Sequence, residues 1–391
     1  MKKMKKILIV NNNMKVGGVQ KSLCNLLQSL DESCCDVTLL LFCAEGTYMK
    51  DIPAWVRVVE CDSLFRYMAI GQKECNSIKD KMLRGVLAGI CRFFGRSTVM
   101  PLIVRSQKKL SDSYDCAISF LHNGRKEAFY GGTQEFVLQC VKADRKVAFL
   151  HCDYGECGAN NKQNNYMIEQ FDKIAACSEG CRRAFLRILP NLENKCVTVK
   201  NCHQFDKIVS LANENTVKYG DGIHVLMVSR IAPEKGIDRA MKAVEHCRKL
   251  GKDITLHIVG GGAKQEQLMA KAQEYEVKNN VIFYGEQANP YRYMKNANLL
   301  LIASKHEAAP MVIDEAVCLD MPVLTVRTTS SDEMVAAPGV GWVCENDQQS
   351  LNNALFEVAD KQLLMQKKKF LSEYKMDNSL ALSQFNKMLD E

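Results

Sequence analysis

The segment SKHEAAPMVIDEAVCLDMPVL (304–324) places two carboxylates, Glu307 and Glu315, eight residues apart in a largely apolar stretch, with Pro310 between them. A carboxylate in apolar surroundings is costly unless something pairs with it. Proline fits the first turn of a helix but not its interior. Glu307 therefore belongs to a loop after the run LLLIAS, and a helix starts near Met311 with Glu315 close to its beginning. The N–H groups of Met311 and Val312, just past Pro310, lack helical partners at such a start and suit a phosphate. Ionised carboxylates only accept hydrogen bonds, which suits sugar hydroxyls. The plainer alternative makes Glu315 a surface partner of the helix dipole. Ala316, Val317 and Leu319 around it argue for a buried helix instead.

Three other segments carry groups of the right type. In VSRIAPEKGIDRAMKAV (228–244), Arg230 and Lys235 fall in a loop between a strand and a helix. Two cations at the carboxyl end of a strand suit a diphosphate; two solvated surface charges are the alternative. In NNNMKVGGVQKSL (11–23), Gly17 and Gly18 follow a strand and precede a helix, so that backbone can approach an anionic ligand closely. The spacing is not GxGxxG, and a plain tight turn fits equally well. His151 in AFLHCDY and His122 in SFLHNGR each stand just past a strand. Either imidazole can hydrogen-bond a sugar hydroxyl, and either can be structural.

These residues need a scaffold, and the chain supplies one. Apolar runs at 6–10, 36–42, 116–120, 146–150 and 173–177 alternate with helical patterns, which implies a parallel sheet covered on both faces. The alternation breaks in the polar stretch 205–222 and restarts with strands at 224–230, 253–260, 280–285, 297–304 and 321–326. With 391 residues, the chain is too long for one ordinary core. The expectation is an α/β protein of two doubly wound, Rossmann-like domains, 1–204 and 205–375, facing a cleft. The segment 376–391 forms a helix packing back on the first domain. Ligands of such sheets lie beyond the carboxyl ends of the strands.

Composition narrows the class. No apolar run approaches the length of a membrane helix, and the apolar run of the start MKKMKKILIV ends at Asn11, too short for a signal peptide. The 18 cysteines are scattered and often lie in apolar runs, which fits a reducing, cytoplasmic setting. Cys152/Cys157, Cys177/Cys181 and Cys196/Cys202 with His203 invite a metal check, but none has CxxC spacing, so no metal is expected. The net charge of +7 is uneven: residues 66–110 hold ten Lys/Arg against Glu74 and Asp80. Met82, Val86, Ile90, Phe93 and Phe94 recur there at helical spacing, which fits an anionic membrane surface or a helix packed on its own core. The aromatics are not interleaved as nucleic-acid binding requires.

Taken together, SRIAPEKG, LHIVGGG and VIFYGEQANPYRYMKNANLLLIASKHEAAPMVIDEAVCLDMPVL closely resemble the retaining glycosyltransferases of family 4, of the GT-B fold and of the type that builds bacterial capsule and exopolysaccharide. The likeness is nearly continuous over 224–345 and looser before it. It implies that Arg230 and Lys235 hold and stabilise the diphosphate leaving group. Glu315 would bind the ribose, Glu307 would face the donor sugar, and the turn Gly285-Glu286-Gln287 would hold the base. Gly17 and Gly18 would approach the diphosphate, and His151 would lie near the donor sugar. Ala308 and Ala309 depart from the Gly and aromatic common there, which touches sugar choice. No DxD occurs, so the expected reaction uses no cofactor and no metal. It moves a hexose or N-acetylhexosamine, with retention, from a nucleotide sugar (UDP by resemblance) to a glycan or polyprenyl-linked acceptor. The basic stretch would dock on a membrane surface. The alternatives are a sugar-nucleotide epimerase of the same architecture, a nicotinamide dehydrogenase, which lacks its fingerprint here, and a non-catalytic carbohydrate-binding protein.

Overall fold

The computed structural model describes residues 4–390. The first three residues of the basic start and Glu391 lie outside the described residues. The chain divides into two compact units, Met1–Cys202 with Asn378–Glu391, and His203–Asp377. The first is built on strands β1 (Lys5–Asn11), β2 (Cys35–Leu41), β3 (Arg57–Glu60), β4 (Ser113–Ser119), β5 (Lys142–Leu150), β6 (Lys173–Ala176) and β7 (Cys196–Thr198). The second is built on β8 (Ile223–Val228), β9 (Ile254–Val259), β10 (Val281–Gly285), β11 (Leu299–Ile302), β12 (Val323–Val326) and β13 (Gly341–Cys344).

The first sheet has the order β3-β2-β1-β4-β5-β6-β7 and the second β10-β9-β8-β11-β12-β13, and the pairs in both are parallel. In each, the strand order reverses beside the unit's first strand. Such a reversal opens a crevice at the carboxyl edge, because the flanking helices leave on opposite faces. The crevices lie between β1 and β4 and between β8 and β11. Side chains alternate across a strand, and β1 shows that both faces are covered. Ile7 and Ile9 enter one core cluster with Leu23, Leu27 and Phe385. Leu8 and Val10 enter another with Phe42, Phe65 and Phe136. Phe385 belongs to the C-terminal helix Ser379–Asp390, which also buries Ala381, Met388 and Leu389 in the first unit.

The sequence reading missed β3, β7 and β13, three of the four sheet edges. Edge strands cover little apolar surface and need no continuous apolar run; the residues of β3 are exposed or half-buried. The stretch read as a break after 204 opens instead with the helix Phe205–Asn213, whose Ile208 and Ala212 enter the second unit's core.

Candidate functional site

In the second unit, the loops after β8 and β11 emerge side by side. After β8 the chain makes a single turn, Pro233–Lys235, and then enters the helix Ile237–Lys249 through Gly236. Gly236 has φ +64, and a Cβ there would collide with the carbonyl oxygen of Ala303, just past β11. Only glycine allows this approach. A backbone bond from Lys305 N to Glu234 O, 2.8 Å, joins the two loops. Across this junction Lys235 Nζ donates to Glu307 Oε1 at 2.7 Å, and the side chains are only 20% and 13% exposed. An ion pair so shielded is held more tightly than a surface pair. Arg230 stands apart from it. Its side chain is 72% exposed and reaches Glu234 at 3.3 Å.

Pro310 precedes the helix Val312–Cys318, capped by Met311. Ile313 N donates to Pro310 O, and Glu315 N to Met311 O. Glu315 is buried, which removes the reading of a surface dipole partner, and Ile313, Ala316 and Val317 beside it enter the core. The buried His203 imidazole lies 3.0 Å from Asp314 of this helix.

The glycine run after β9 has a use that the sequence reading did not assign. A Cβ on Gly260 or Gly262 would strike the backbone carbonyl of Ser229 or Ile231, and one on Gly261 would press on Glu286. Ile231 N donates to Gly261 O, and Gly260 N to Gly285 O, both at 2.8 Å. The run thus packs the loops after β8, β9 and β10 against one another. It brings Arg230, Glu286 and Gln287 to one carboxyl edge. Gln287 Nε2 donates to Tyr284 O at 2.7 Å, which fixes its amide.

In the first unit, the loop after β1 is pinned by asparagines. Asn13 Nδ2 donates to Ala69 O at 2.7 Å, and Asn13 Oδ1 accepts from Lys15 N. Gly17 is extended, with φ 176, so its backbone needs no glycine. A Cβ there would meet only the flexible Gln20 side chain, and one on Gly18 would meet nothing within 4 Å. What Gly18 contributes is open space at the start of the helix Gly18–Ser29. His151 stacks on Phe149 and meets Phe120 at a tilt, with ring centroids 5.5 and 4.6 Å away. Burial, then the nearby His122, pushes its pKa down to about 3, so the ring is neutral near neutral pH. Its Nε2 is buried without a hydrogen-bond partner among the described residues. A neutral imidazole of this kind can bond a hydroxyl but cannot serve as a general acid.

The basic stretch divides. Arg96 is buried and pairs with the equally buried Glu135 at 2.8 Å, so it takes no part in a charged surface. Lys73, Lys79, Lys81, Arg92, Arg105, Lys108 and Lys109 are exposed. On the helix Ile78–Phe94, Leu87 and Cys91 are buried, while Ile78, Met82, Val86, Phe93 and Phe94 are exposed. Of the expected stripe, Ile90 packs partly against the unit's core, while Met82, Val86, Phe93 and Phe94 do not. Among the described residues, no helix is long and apolar enough to cross a membrane.

Comparison with known proteins agrees with this architecture. Residues 211–375 match the family model described as "Glycosyl transferases group 1". An uncharacterized glycosyltransferase of Methanocaldococcus jannaschii is 25% identical over 178 residues, 44% of each chain. The lipopolysaccharide glucosyltransferase WaaG of Escherichia coli is 30% identical over 133 residues, 34% of this chain and 36% of that one. The chain thus spans less than half the length of these two relatives. The crystal structure of Anabaena HepE in complex with UDP and glucose matches at a TM-score of 0.67 and 18% identity, covering 99% of this chain and 100% of that one. The fold is GT-B, with two Rossmann-like domains. The family match lies almost wholly within the second unit, His203–Asp377.

Proposed function

We propose that the chain is a retaining, metal-independent glycosyltransferase. It moves a hexose or N-acetylhexosamine from a UDP-sugar to a glycan or polyprenyl-linked acceptor in cell-surface polysaccharide synthesis. The observation that carries this reading is the Lys235–Glu307 pair, held at 2.7 Å where the strand order of the second sheet reverses. Breaking a glycosyl–phosphate bond builds negative charge on the diphosphate and positive charge on the sugar. A fixed cation and a fixed carboxylate at one crevice match that separation. Lys235 and Arg230 stabilise the departing diphosphate. Glu307 faces the sugar, and the backbone at Met311 and Val312, past Pro310, receives phosphate oxygens. Glu315 takes the ribose, and Glu286 and Gln287 flank the base. In the first unit, Gly18 leaves open space at a helix start, and neutral His151 offers an imidazole to a hydroxyl. The leaving phosphate itself takes the proton of the acceptor hydroxyl on the same face, which gives retention. HepE's complex with UDP and glucose, and WaaG's naming as a lipopolysaccharide glucosyltransferase, favour UDP and a cell-surface glycan.

The test is a panel of nucleotide sugars. Thermal shift of the purified protein is read first, then product mass with polyprenyl-linked and free glycan acceptors. Stabilisation by UDP-sugars, and transfer without added Mg2+ or Mn2+, are the expected results. Transfer that requires added divalent metal overturns the metal-free mechanism. Interconversion of the nucleotide sugars without transfer identifies an epimerase instead.

A further inference from the structure

A second group of chemically able side chains lies in the first unit, beside the features already assigned. β4 and β5 are neighbours, with Ser119 opposite Ala148. His122, three residues past β4, and Cys152, two past β5, therefore emerge together at the carboxyl edge. The chain then turns back. Asp153 Oδ1 accepts from the N–H groups of Gly155 and Glu156, and Cys157 N donates to Asp153 O. This turn returns Cys157 to Cys152, with the sulfurs 2.9 Å apart. The ligand atoms of His122, Cys152 and Cys157 all lie within 4.8 Å of one another.

From this geometry we infer that His122, Cys152 and Cys157 form a binding site for one soft divalent cation of the zinc class. One imidazole nitrogen and two thiolate sulfurs are a donor set that selects zinc over harder ions. Zn–S bonds of about 2.3 Å and Zn–N bonds of about 2.0 Å put tetrahedral donors about 3.5–3.8 Å apart, so the sulfurs part by less than about 1 Å to admit the ion. His122 Nδ1 is buried with no hydrogen-bond partner among the described residues. Cys152 is buried, and His122 and Cys157 are half-buried. Both sulfurs would bind as thiolates, so metal binding releases thiol protons. A disulfide would join the two sulfurs but would give the imidazole no part. Three protein donors leave a fourth position for water or another ligand. The inference is independent of the sugar-transfer reading, and no step of that reaction runs through this ion.

The test uses the full chain, purified without a metal-affinity tag. Bound zinc is measured by mass spectrometry, and Co2+ then replaces it as a spectroscopic probe. About one zinc per chain is expected, with thiolate-to-cobalt charge transfer and intense tetrahedral visible bands. Cys157→Ser and His122→Gln should each weaken Co2+ binding by at least about tenfold, with far-UV circular dichroism unchanged. Cys177→Ser should leave the spectrum as it is. Two independent variants keep the test decisive if one fails to fold. Absence of a thiolate–cobalt band in the wild type overturns the site, as does a band that survives both variants. A Cys152–Cys157 disulfide, seen by mass after alkylation without reductant, also overturns it.

Discussion

At the scale of the residue, Lys235 and Glu307 neutralise each other before any donor arrives. To reach a diphosphate, Lys235 must loosen this bond. Glu307→Gln removes the competing charge and keeps the shape. We expect UDP affinity to stay equal or rise, while kcat falls at least about tenfold. Equal loss in binding and turnover, by titration calorimetry and initial rates, would place Glu307 outside the sugar site. Arg230→Ala and Lys235→Ala should each lower kcat/KM by about 10²-fold or more with the fold intact; full activity in both sinks the assignment. These residues were legible because loop chemistry leaves marks: a proline that starts a helix, a carboxylate before it, two cations after a strand. The His122–Cys152–Cys157 group was legible only in part: Cys152 and Cys157 invited a metal check, but nothing joined His122 to them. Its members come from two loops, and their meeting depends on strand order, which residue spacing does not record. The available hint was a histidine past one strand and two cysteines past the next.

At the scale of the element, the loops after β8 and β9 are placed by close backbone approaches at Gly236, Gly260 and Gly262. Gly236→Ala adds a side chain at φ +64 and drives it into the Ala303 carbonyl. We expect a cost of about 1–3 kcal/mol in the second unit, read by denaturant unfolding, with lower turnover because Lys235 is the adjacent residue. An unchanged midpoint would mean that the loops are not so closely joined. β8, β9 and β10 also share a buried polar chain. His224 Nε2 meets Gly220 O, His224 Nδ1 meets His257 Nε2, and His257 Nδ1 meets the Tyr284 hydroxyl, each at 3.0 Å. Burial, then His224, lowers the His257 pKa to about 4. The folded protein therefore keeps His257 neutral, while the unfolded chain takes up a proton near pH 6.5. Stability from this group is full above about pH 6.5 and is lost as the pH falls toward 4. His151 adds to the same acid limb. His257→Leu should cost about 1–3 kcal/mol at neutral pH, because the buried His224 ring and the half-buried Tyr284 hydroxyl lose their partner. It should also flatten the loss of stability between pH 6.5 and 4.5; a variant as acid-sensitive as the wild type contradicts the account.

At the scale of the whole molecule, unbroken apolar runs announced parallel sheets covered on both faces. They announced only the central strands, because β3, β7 and β13 lie at sheet edges and bury little. The basic stretch was ambiguous for a related reason: helical spacing says that an apolar stripe exists, not which way it faces. The structure decides this, since Phe93 is 80% and Phe94 73% exposed, whereas Leu87 and Cys91 form the packed side. A solvent-facing stripe of Ile78, Met82, Val86 and Phe93, bordered by exposed cations on a chain of net charge +7, suits an anionic lipid surface. Each lysine or arginine near such a surface contributes about 1 kcal/mol, and the insertion of aromatic rings adds a part that salt does not screen. Two variants separate these contributions. Replacing Lys79, Lys81 and Arg92 by glutamine should weaken binding to vesicles containing anionic lipid, and salt should have less further effect. Phe93→Ser with Phe94→Ser should weaken binding at both low and high salt. Both proteins should keep full transfer to a soluble acceptor and lose it toward an acceptor embedded in the vesicle. Co-sedimentation unchanged in both variants would leave the stripe without a membrane role.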